Sequence, residues 1–238
     1  MNLSLLRSTK KFFIRYKLHS IFGALSKPFF TSYHLSRLSK WAEENGSIAF
    51  NDFPCKWDYE KRFQLYDHIM TSEGLKEQAV DYLEFGVAGG HSFRWFQQNN
   101  TNVESRFHGF DTFTGLPEDW GPFKKGTFSQ GDTLPAMHDD RGTYHQGLFQ
   151  QTLPVFLKQF KNERRKIIMM DADLYSSTLF VLCSLAPYLQ KDDIIFFDEF
   201  AVPNHEFKAF IEFTESFYKK FTLIGAANNY YFTAFKAE

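Results

Sequence analysis

Two short acidic stretches hold most of the chemistry open to this sequence. Asp171-Ala172-Asp173-Leu174-Tyr175 follows the uninterrupted apolar run Ile167 to Met170, and Asp198-Glu199 follows a second run, Ile194 to Phe197. Short apolar runs bounded by charge read as strands buried on both faces, which lie parallel in one sheet with their carboxyl ends on one side. Asp171, Asp173, Asp198 and Glu199 are then expected to share one crevice, where open α/β sheets bind ligands. Crowded carboxylates repel, and a cation that joins them keeps them ionised. A Mg²⁺-type site with hard oxygen ligands is the expected outcome.

A glycine loop bears on what else enters that crevice. Glu84-Phe85-Gly86-Val87-Ala88-Gly89-Gly90 ends an apolar run and leads through His91 and Ser92 into helical spacing. A dinucleotide fingerprint needs glycines where Ala88 and His91 stand, and a Walker loop needs a following Lys-Ser or Lys-Thr, so neither fits. The segment resembles the acid-x-Gly-x-small-x-Gly loop of class I S-adenosylmethionine-dependent methyltransferases, which holds the amino acid end of the cofactor. That resemblance implies cofactor contacts from Glu84, Gly86, Gly89, Gly90 and Ser92. Asp111 directly follows the next apolar run, where an acid accepts hydrogen bonds from both ribose hydroxyls, with Thr112 beside it. The competing reading of Asp111 is a cap or turn before Thr112, and both can hold together.

Five motifs then occur in a recognisable order. They are Glu84 to Gly90, Phe110-Asp-Thr-Phe-Thr-Gly-Leu-Pro117, Gly147-Leu-Phe-Gln-Gln-Thr-Leu-Pro154, Asp171-Ala-Asp-Leu-Tyr-Ser-Ser-Thr178 and Phe197-Asp-Glu199. Over about residues 58–235 the chain resembles the macrocin O-methyltransferase family of macrolide and aminocoumarin sugar O-methyltransferases. The resemblance implies a Mg²⁺-dependent enzyme that chelates neighbouring sugar hydroxyls and methylates one of them. By position it implies Asp171, Asp198 and Glu199 as metal ligands and Asp173 as the catalytic base, with Asp171 also counted among the catalytic residues. The family commonly has a second aspartate where this chain has Glu199, whose carboxylate stands one methylene further out.

The residue types suit that chemistry. Coordination to a divalent ion lowers the pKa of a hydroxyl and fixes its lone pair. A carboxylate within about 3 Å can take the proton, and holding oxygen, methyl carbon and sulfur in line supplies much of the acceleration. The other reading of Asp173 is an N-cap for the helix beginning near Ser176. His91 and His205 are candidates for substrate or cofactor contacts, against the ordinary role of a satisfied polar group. Tyr175 either meets a ligand or packs. The loop Thr112 to Gly142 is long for a connection and is expected to cover the site.

The elements that must position these groups alternate along the chain. Strands are expected at Ala79 to Phe85, Phe107 to Phe110, near Tyr144, at Lys166 to Met170 and at Asp193 to Phe197, with helices from Ser92, Thr152, Ser176 and Glu206. This predicts an α/β fold with a mostly parallel, Rossmann-like sheet of the class I methyltransferase type. Phe221 to Ala226 and Tyr230 to Phe235, joined by Ala227-Asn228-Asn229, read as a C-terminal antiparallel hairpin. A helix from Tyr59 to Met70 opens the main domain. The 30 phenylalanines fall at core spacing throughout and name no ligand.

Residues 1–57 differ in kind from the domain expected over residues 58–238. Arg7, Lys10, Lys11, Arg15, Lys17, Lys27, Arg37 and Lys40 occur before the first acidic residue, Glu43, interleaved with Leu5, Leu6, Phe12, Phe13, Ile14, Leu18, Ile21, Phe22 and Leu25. A helical extension against a partner subunit or over the active site, peripheral membrane contact through residues 1–42, and a transit signal all stand open. A net charge of -1 argues against nucleic acid as partner, and Cys55 and Cys183 support neither a disulfide framework nor a zinc site. The expected location is the cytoplasm, or its membrane surface, and the expected partner is a small-molecule or glycan acceptor, with a homo-oligomer open. Two rival functions stand beside methyl transfer. One is a divalent-metal glycosyltransferase using Asp171-Ala172-Asp173, and the other is a non-catalytic binding or scaffold protein.

Overall fold

The structure is a computed structural model that describes residues 2–131 and 133–238. The side chains of Leu25 and Lys27, members of the basic amphipathic pattern, lie outside the described set. The strands are β1 (Val80–Phe85), β2 (Arg106–Asp111), β3 (Gly142–Gln146), β4 (Arg165–Met170), β5 (Ile194–Phe197), β6 (Phe221–Ala227) and β7 (Phe232–Ala237). The helices are α1 (Leu3–Arg15), α2 (His19–Asn45), α3 (Lys61–Ser72), α4 (His91–Asn99), α5 (Phe149–Leu157), α6 (Tyr175–Leu185) and α7 (Glu206–Phe217). One seven-stranded sheet runs in the order β3-β2-β1-β4-β5-β7-β6. β1 through β5 pair in parallel, while β7 runs antiparallel to both β5 and β6.

The sheet is buried on both faces, which explains the unbroken apolar runs. Phe85, Phe110, Met170 and Phe197 project to one face, against Leu153, Val181, Leu182, Phe207 and Phe210 of α5, α6 and α7. Tyr82, Phe107, Ile167 and Ile194 project to the other, against Leu65, Tyr66, Ile69, Phe93 and Phe96 of α3 and α4. The phenylalanines fill this core in contact with one another, as in the stacked pair Phe85–Phe110 at 4.8 Å between ring centroids. Each such ring contributes about 1.5–3 kcal/mol through burial.

The chain leaves β1 toward β2 and β3, then returns to β4 on the opposite side of β1. This reversal opens a crevice at the carboxyl ends of β1 and β4, the position where such sheets take ligands. The sequence reading and the structure differ at the last turn. Asn228, Asn229 and Tyr230 all adopt a left-handed backbone, so β7 starts at Phe232 rather than Tyr230. Tyr230 is drawn inward because its hydroxyl accepts from Asn51 Nδ2 at 2.9 Å and its ring meets Trp41. The helix expected from Thr152 begins three residues earlier, at Phe149.

The second half of α2 is docked on the body. Trp41 packs against Phe200, Phe207, Tyr230 and Phe235, and Arg37 pairs with Glu215 at 2.6 Å. In α1, by contrast, no residue is buried. Among the described residues, no helix is long and apolar enough to cross a membrane. Trp41→Ala is expected to destabilise the protein by about 2–4 kcal/mol, since it removes a half-buried ring that touches four others. Chemical denaturation should report that loss, and limited proteolysis should cut α2 before the body.

Candidate active site

Strand register builds the site. Phe110, Phe85, Met170 and Phe197 are paired across β2, β1, β4 and β5, so the next residue on each strand falls in one row. That row is Asp111, Gly86, Asp171 and Asp198. Its backbone carries the ladder onward: Gly86 N–H donates to Phe110 O, Asp171 N–H to Phe85 O and Asp198 N–H to Met170 O, at 2.9–3.0 Å. Neighbouring strands lie about 4.8 Å apart, so these side chains are brought together by pairing alone. Asp173 and Glu199 follow on the same two loops.

These residues line one cavity of about 480 Å³, a size suited to a small ligand. Asp111 and Asp198 stand at the two extremes of the row with Gly86 and Asp171 adjacent between them, and Ala88, Thr112, Asp173, Glu199 and Tyr59 complete this part of the wall. The long loop over residues 112–142 supplies Leu116, Trp120 and Phe128 to the wall. Leu116 and Trp120 pack on Leu174, and Ser176 Oγ donates to Glu118 at 3.2 Å, which seats the loop over the acids.

Burial sets the electrostatics. Asp198 is buried and Asp171, Asp173 and Glu199 are half-buried. Burial, reinforced by the charge of Asp198, pushes Asp171 well above the usual carboxylate range. The same causes raise Asp173 to about 7. Glu199 rises to about 8 through burial and the charges of Asp173 and Asp198. Asp198 is raised by burial while Arg62 and Tyr66 oppose the shift. Those two residues lie one turn apart on α3, with Arg62 Nη1 3.7 Å and the Tyr66 hydroxyl 3.4 Å from Asp198 Oδ1. Glu199 Oε2 is buried without a hydrogen-bond partner.

Not every expected site residue reaches the cavity wall. Among the described residues, no three His, Cys, Asp or Glu side chains stand as a ready-made metal cluster. Asp171, Asp198 and Glu199 line the same cavity, with Asp198 also facing Arg62 and Tyr66. Glu84 is fully buried beneath the loop, where its carboxylate accepts from the Tyr82 hydroxyl, and burial raises it to about 8. Glu84, Gly89, Gly90 and Ser92 do not line the cavity, whereas Gly86, Asp111 and Thr112 do. Gly90 instead starts α4 with a left-handed φ of +70°.

Asp111 has a prior engagement with backbone. Its Oδ2 accepts from Val87 N–H and Ala88 N–H at 2.7 and 2.8 Å, and its Oδ1 from Phe113 N–H at 2.7 Å. The carboxylate therefore shapes both the glycine loop and its own turn, with lone pairs left over for a ligand. Asp173 has a left-handed φ of +56° and makes no cap, since α6 is preceded by Leu174 with no side-chain cap bond. Tyr175 packs outward, donating to Glu212 beneath Lys208, and His91 and His205 stay off the cavity wall. Sequence reasoning missed Arg62, Tyr59 and the fully buried Glu206, whose Oε2 accepts from Glu199 N–H at 2.9 Å. Arg62 left a signal, being a charge at an apolar position of the α3 spacing.

The strand order, the crevice at the reversal and the acid after β2 define a class I methyltransferase fold. Residues 83–200 match the family model described as a methyltransferase domain, and the chain is an S-adenosylmethionine-dependent methyltransferase carrying that domain. The glycosyltransferase reading falls with that finding. No curated protein sequence matches the chain. Among solved structures it is similar to the calicheamicin methyltransferase CalS11, with 21% identity, TM-score 0.59, and coverage of 86% of this chain and 91% of that one. It is also similar to the O-methyltransferase NovP, with 16% identity, TM-score 0.54, and coverage of 88% and 98% respectively. A Mg-SAM structure of CmcI follows at 16% identity, TM-score 0.50 and 84% coverage of each chain. At these identities the likeness concerns the fold.

Two tests address this geometry. A Cβ on Gly86 would overlap the Asp171 carbonyl oxygen, and its φ of +94° disfavours any side chain. Gly86→Ala is expected to separate the two loops, lowering S-adenosylhomocysteine affinity at least about tenfold by calorimetry and costing about 1–3 kcal/mol of stability. Glu84 concerns pH. Its folded pKa of about 8 exceeds the ordinary 4.5, so the folded state keeps a proton that the unfolded chain releases, and stability falls as pH rises through that window. Glu84→Gln, which still accepts from Tyr82, is expected to flatten this fall and raise the melting temperature at pH 8, by about 2–4 °C for each kcal/mol regained.

Proposed function

We propose that the protein is a divalent-metal-dependent O-methyltransferase that moves the S-adenosylmethionine methyl group to one hydroxyl of a vicinal diol on a sugar or glycan, residues 58–238 being its catalytic domain. The observation that carries this reading is the gathering of Asp171, Asp173, Asp198 and Glu199 in the same cavity as Asp111 and Gly86. A cofactor held against Asp111 and the glycine loop would lie beside these acids. The described likeness to a TDP-rhamnose 3'-O-methyltransferase, at 19% identity and TM-score 0.53, supports a sugar hydroxyl as acceptor. Mg²⁺ is supported by the CmcI structure bearing it.

The donor set suits a hard cation. Carboxylates raised by burial and by one another, with one buried oxygen of Glu199 unpartnered, lose free energy that a positive ion would restore. Asp171, Asp198 and Glu199 would hold the ion, which when bound supplies Lewis acidity to the acceptor hydroxyl. Asp173 is the base, a half-buried carboxylate on the cavity wall two residues from Asp171, placed to take the proton of a hydroxyl bound beside that residue. Asp111 and Thr112 receive the ribose, and Gly86 and Ala88 let the methionine portion lie close to backbone. Arg62 and Tyr66 position Asp198. Leu116, Trp120 and Phe128 exclude water and so hold the acceptor oxygen in line with the methyl group.

Thermal shift and turnover assays test this reading. S-adenosylhomocysteine is expected to raise the melting temperature, whereas a nucleotide sugar alone leaves it unchanged. Chelation is expected to stop methylation of a sugar diol, and Mg²⁺ to restore it. Asp171→Ala should abolish turnover while keeping the S-adenosylhomocysteine shift, and Asp173→Asn should lower kcat by about 10²–10⁴. Loss of cofactor binding in Asp171→Ala equal to the loss of turnover would refute the assignment of cofactor and metal contacts to different residues.

A further inference from the structure

The N-terminal helices present an apolar face that the body does not cover. Along α1, helical spacing gathers Leu5, Leu6, Phe12 and Phe13 on one side, with Tyr16 continuing the stripe, while Arg7, Lys10, Lys11 and Arg15 gather on the other. Leu3 and Ile14 are the exceptions, standing among the basic residues. Leu5, Phe12 and Phe13 are 62%, 54% and 43% exposed. The apolar face continues across the elbow into α2, where Phe13 and Phe22 bring their rings to 5.4 Å and Ile21 stays exposed.

Charge selects the occupant of this face. The first 42 residues hold eight of the 27 Lys and Arg and none of the 28 Asp and Glu. The remainder therefore has 19 basic against 28 acidic residues, a net of -9, so the arm and the body carry opposite sign. A helix with a Phe and Leu face, a Lys and Arg face and too little apolar length to span a bilayer lies in the plane of an anionic lipid surface. We infer that α1 and the first turns of α2 anchor the enzyme on an anionic membrane surface. The apolar stripe enters the boundary of headgroups and acyl chains, and the basic side chains reach lipid phosphates. The acidic body is repelled by the same surface, so contact is confined to the arm.

The arm leaves the body beside the cavity rim. Thr31 Oγ1 accepts from Asn204 Nδ2 at 2.9 Å, on the loop that follows Asp198 and Glu199. Lys208 Nζ lies 5.6 Å from the ring centroid of Phe30 and 3.4 Å from that of Tyr175, and Tyr175 stands between Leu174 and Ser176 of the cavity wall. The arm is thus joined to the body at the loop that follows Asp198 and Glu199, while contact with the lipid stays with α1 and the first turns of α2. The anchoring stands apart from the methyl-transfer chemistry proposed above and is tested separately.

The experiment is co-sedimentation of the full chain with vesicles of phosphatidylcholine, alone or mixed with phosphatidylglycerol, beside sedimentation velocity without lipid. Binding is expected to the mixed vesicles only and to weaken with added salt. Paired substitutions Lys10→Glu with Lys11→Glu, and Phe12→Ser with Phe13→Ser, should each lower partitioning at least about tenfold. Both variants should keep the wild-type thermal shift with S-adenosylhomocysteine, which shows that the body is folded. Equal binding to both vesicle types, or binding to neither, overturns the inference. So does a lipid-free oligomer that the Phe12 and Phe13 substitutions dissociate, since the apolar face would then belong to a second copy of the chain.

Discussion

Negative charge gathered at the carboxyl edge of the central strands is the constraint around which the rest of this protein is arranged. Parallel pairing puts Asp111, Gly86, Asp171 and Asp198 in one row, and two further acids follow on the same loops. An apolar sheet beneath them cannot solvate that charge. The chain answers in part with Arg62, delivered from α3 to Asp198, and with the Tyr66 hydroxyl. Asp171, Asp173 and Glu199 keep their carboxyls well above the ordinary range, so the site favours either protons or a cation. In a methyltransferase that preference can be directed at the acceptor.

The spacing between the glycine loop and the loop that bears Asp171 is set by backbone rather than by side chains. Gly86 lies against the Asp171 carbonyl, where no Cβ fits, and Asp111 ties the amides of Val87 and Ala88. The glycine loop is therefore held from both sides before any cofactor arrives, which lowers the ordering cost of binding. The loop over residues 112–142 closes the remaining side through Leu116 and Trp120 on Leu174. Its docking point is the segment that bears Asp171 and Asp173, so cover and acids are mechanically linked.

Much of this was legible in the residues. Apolar runs of four residues ending in acid marked β4 and β5, because a strand buried on both faces has few polar positions to spare. The methyltransferase resemblance drew on motifs at those strand ends, and the acids and Gly86 do line one cavity. Glu84 stands in the motif yet is buried and bonded to the Tyr82 hydroxyl, two residues before the row that faces the cavity. Tyr230 misled because its aromatic character suits a strand equally well, while its left-handed backbone is imposed by Asn51 and Trp41. Arg62 was passed over because a long charged side chain on a helix is normally solvated.

By itself, the sequence determined the alternation of elements, the parallel sheet with its closing hairpin, the acidic residues at the strand ends and the opposite charges of arm and body. These follow from periodicity, composition and local spacing, which act within a few residues. Tertiary structure alone decided which carboxylate meets a cation, which motif residues reach the cavity, and where α2 docks. Each of those depends on distances between segments far apart in the chain, such as Arg62 to Asp198 and Thr31 to Asn204. Burial then converts such distances into shifted ionisation, because a charge removed from water is governed by whatever group packing has placed beside it.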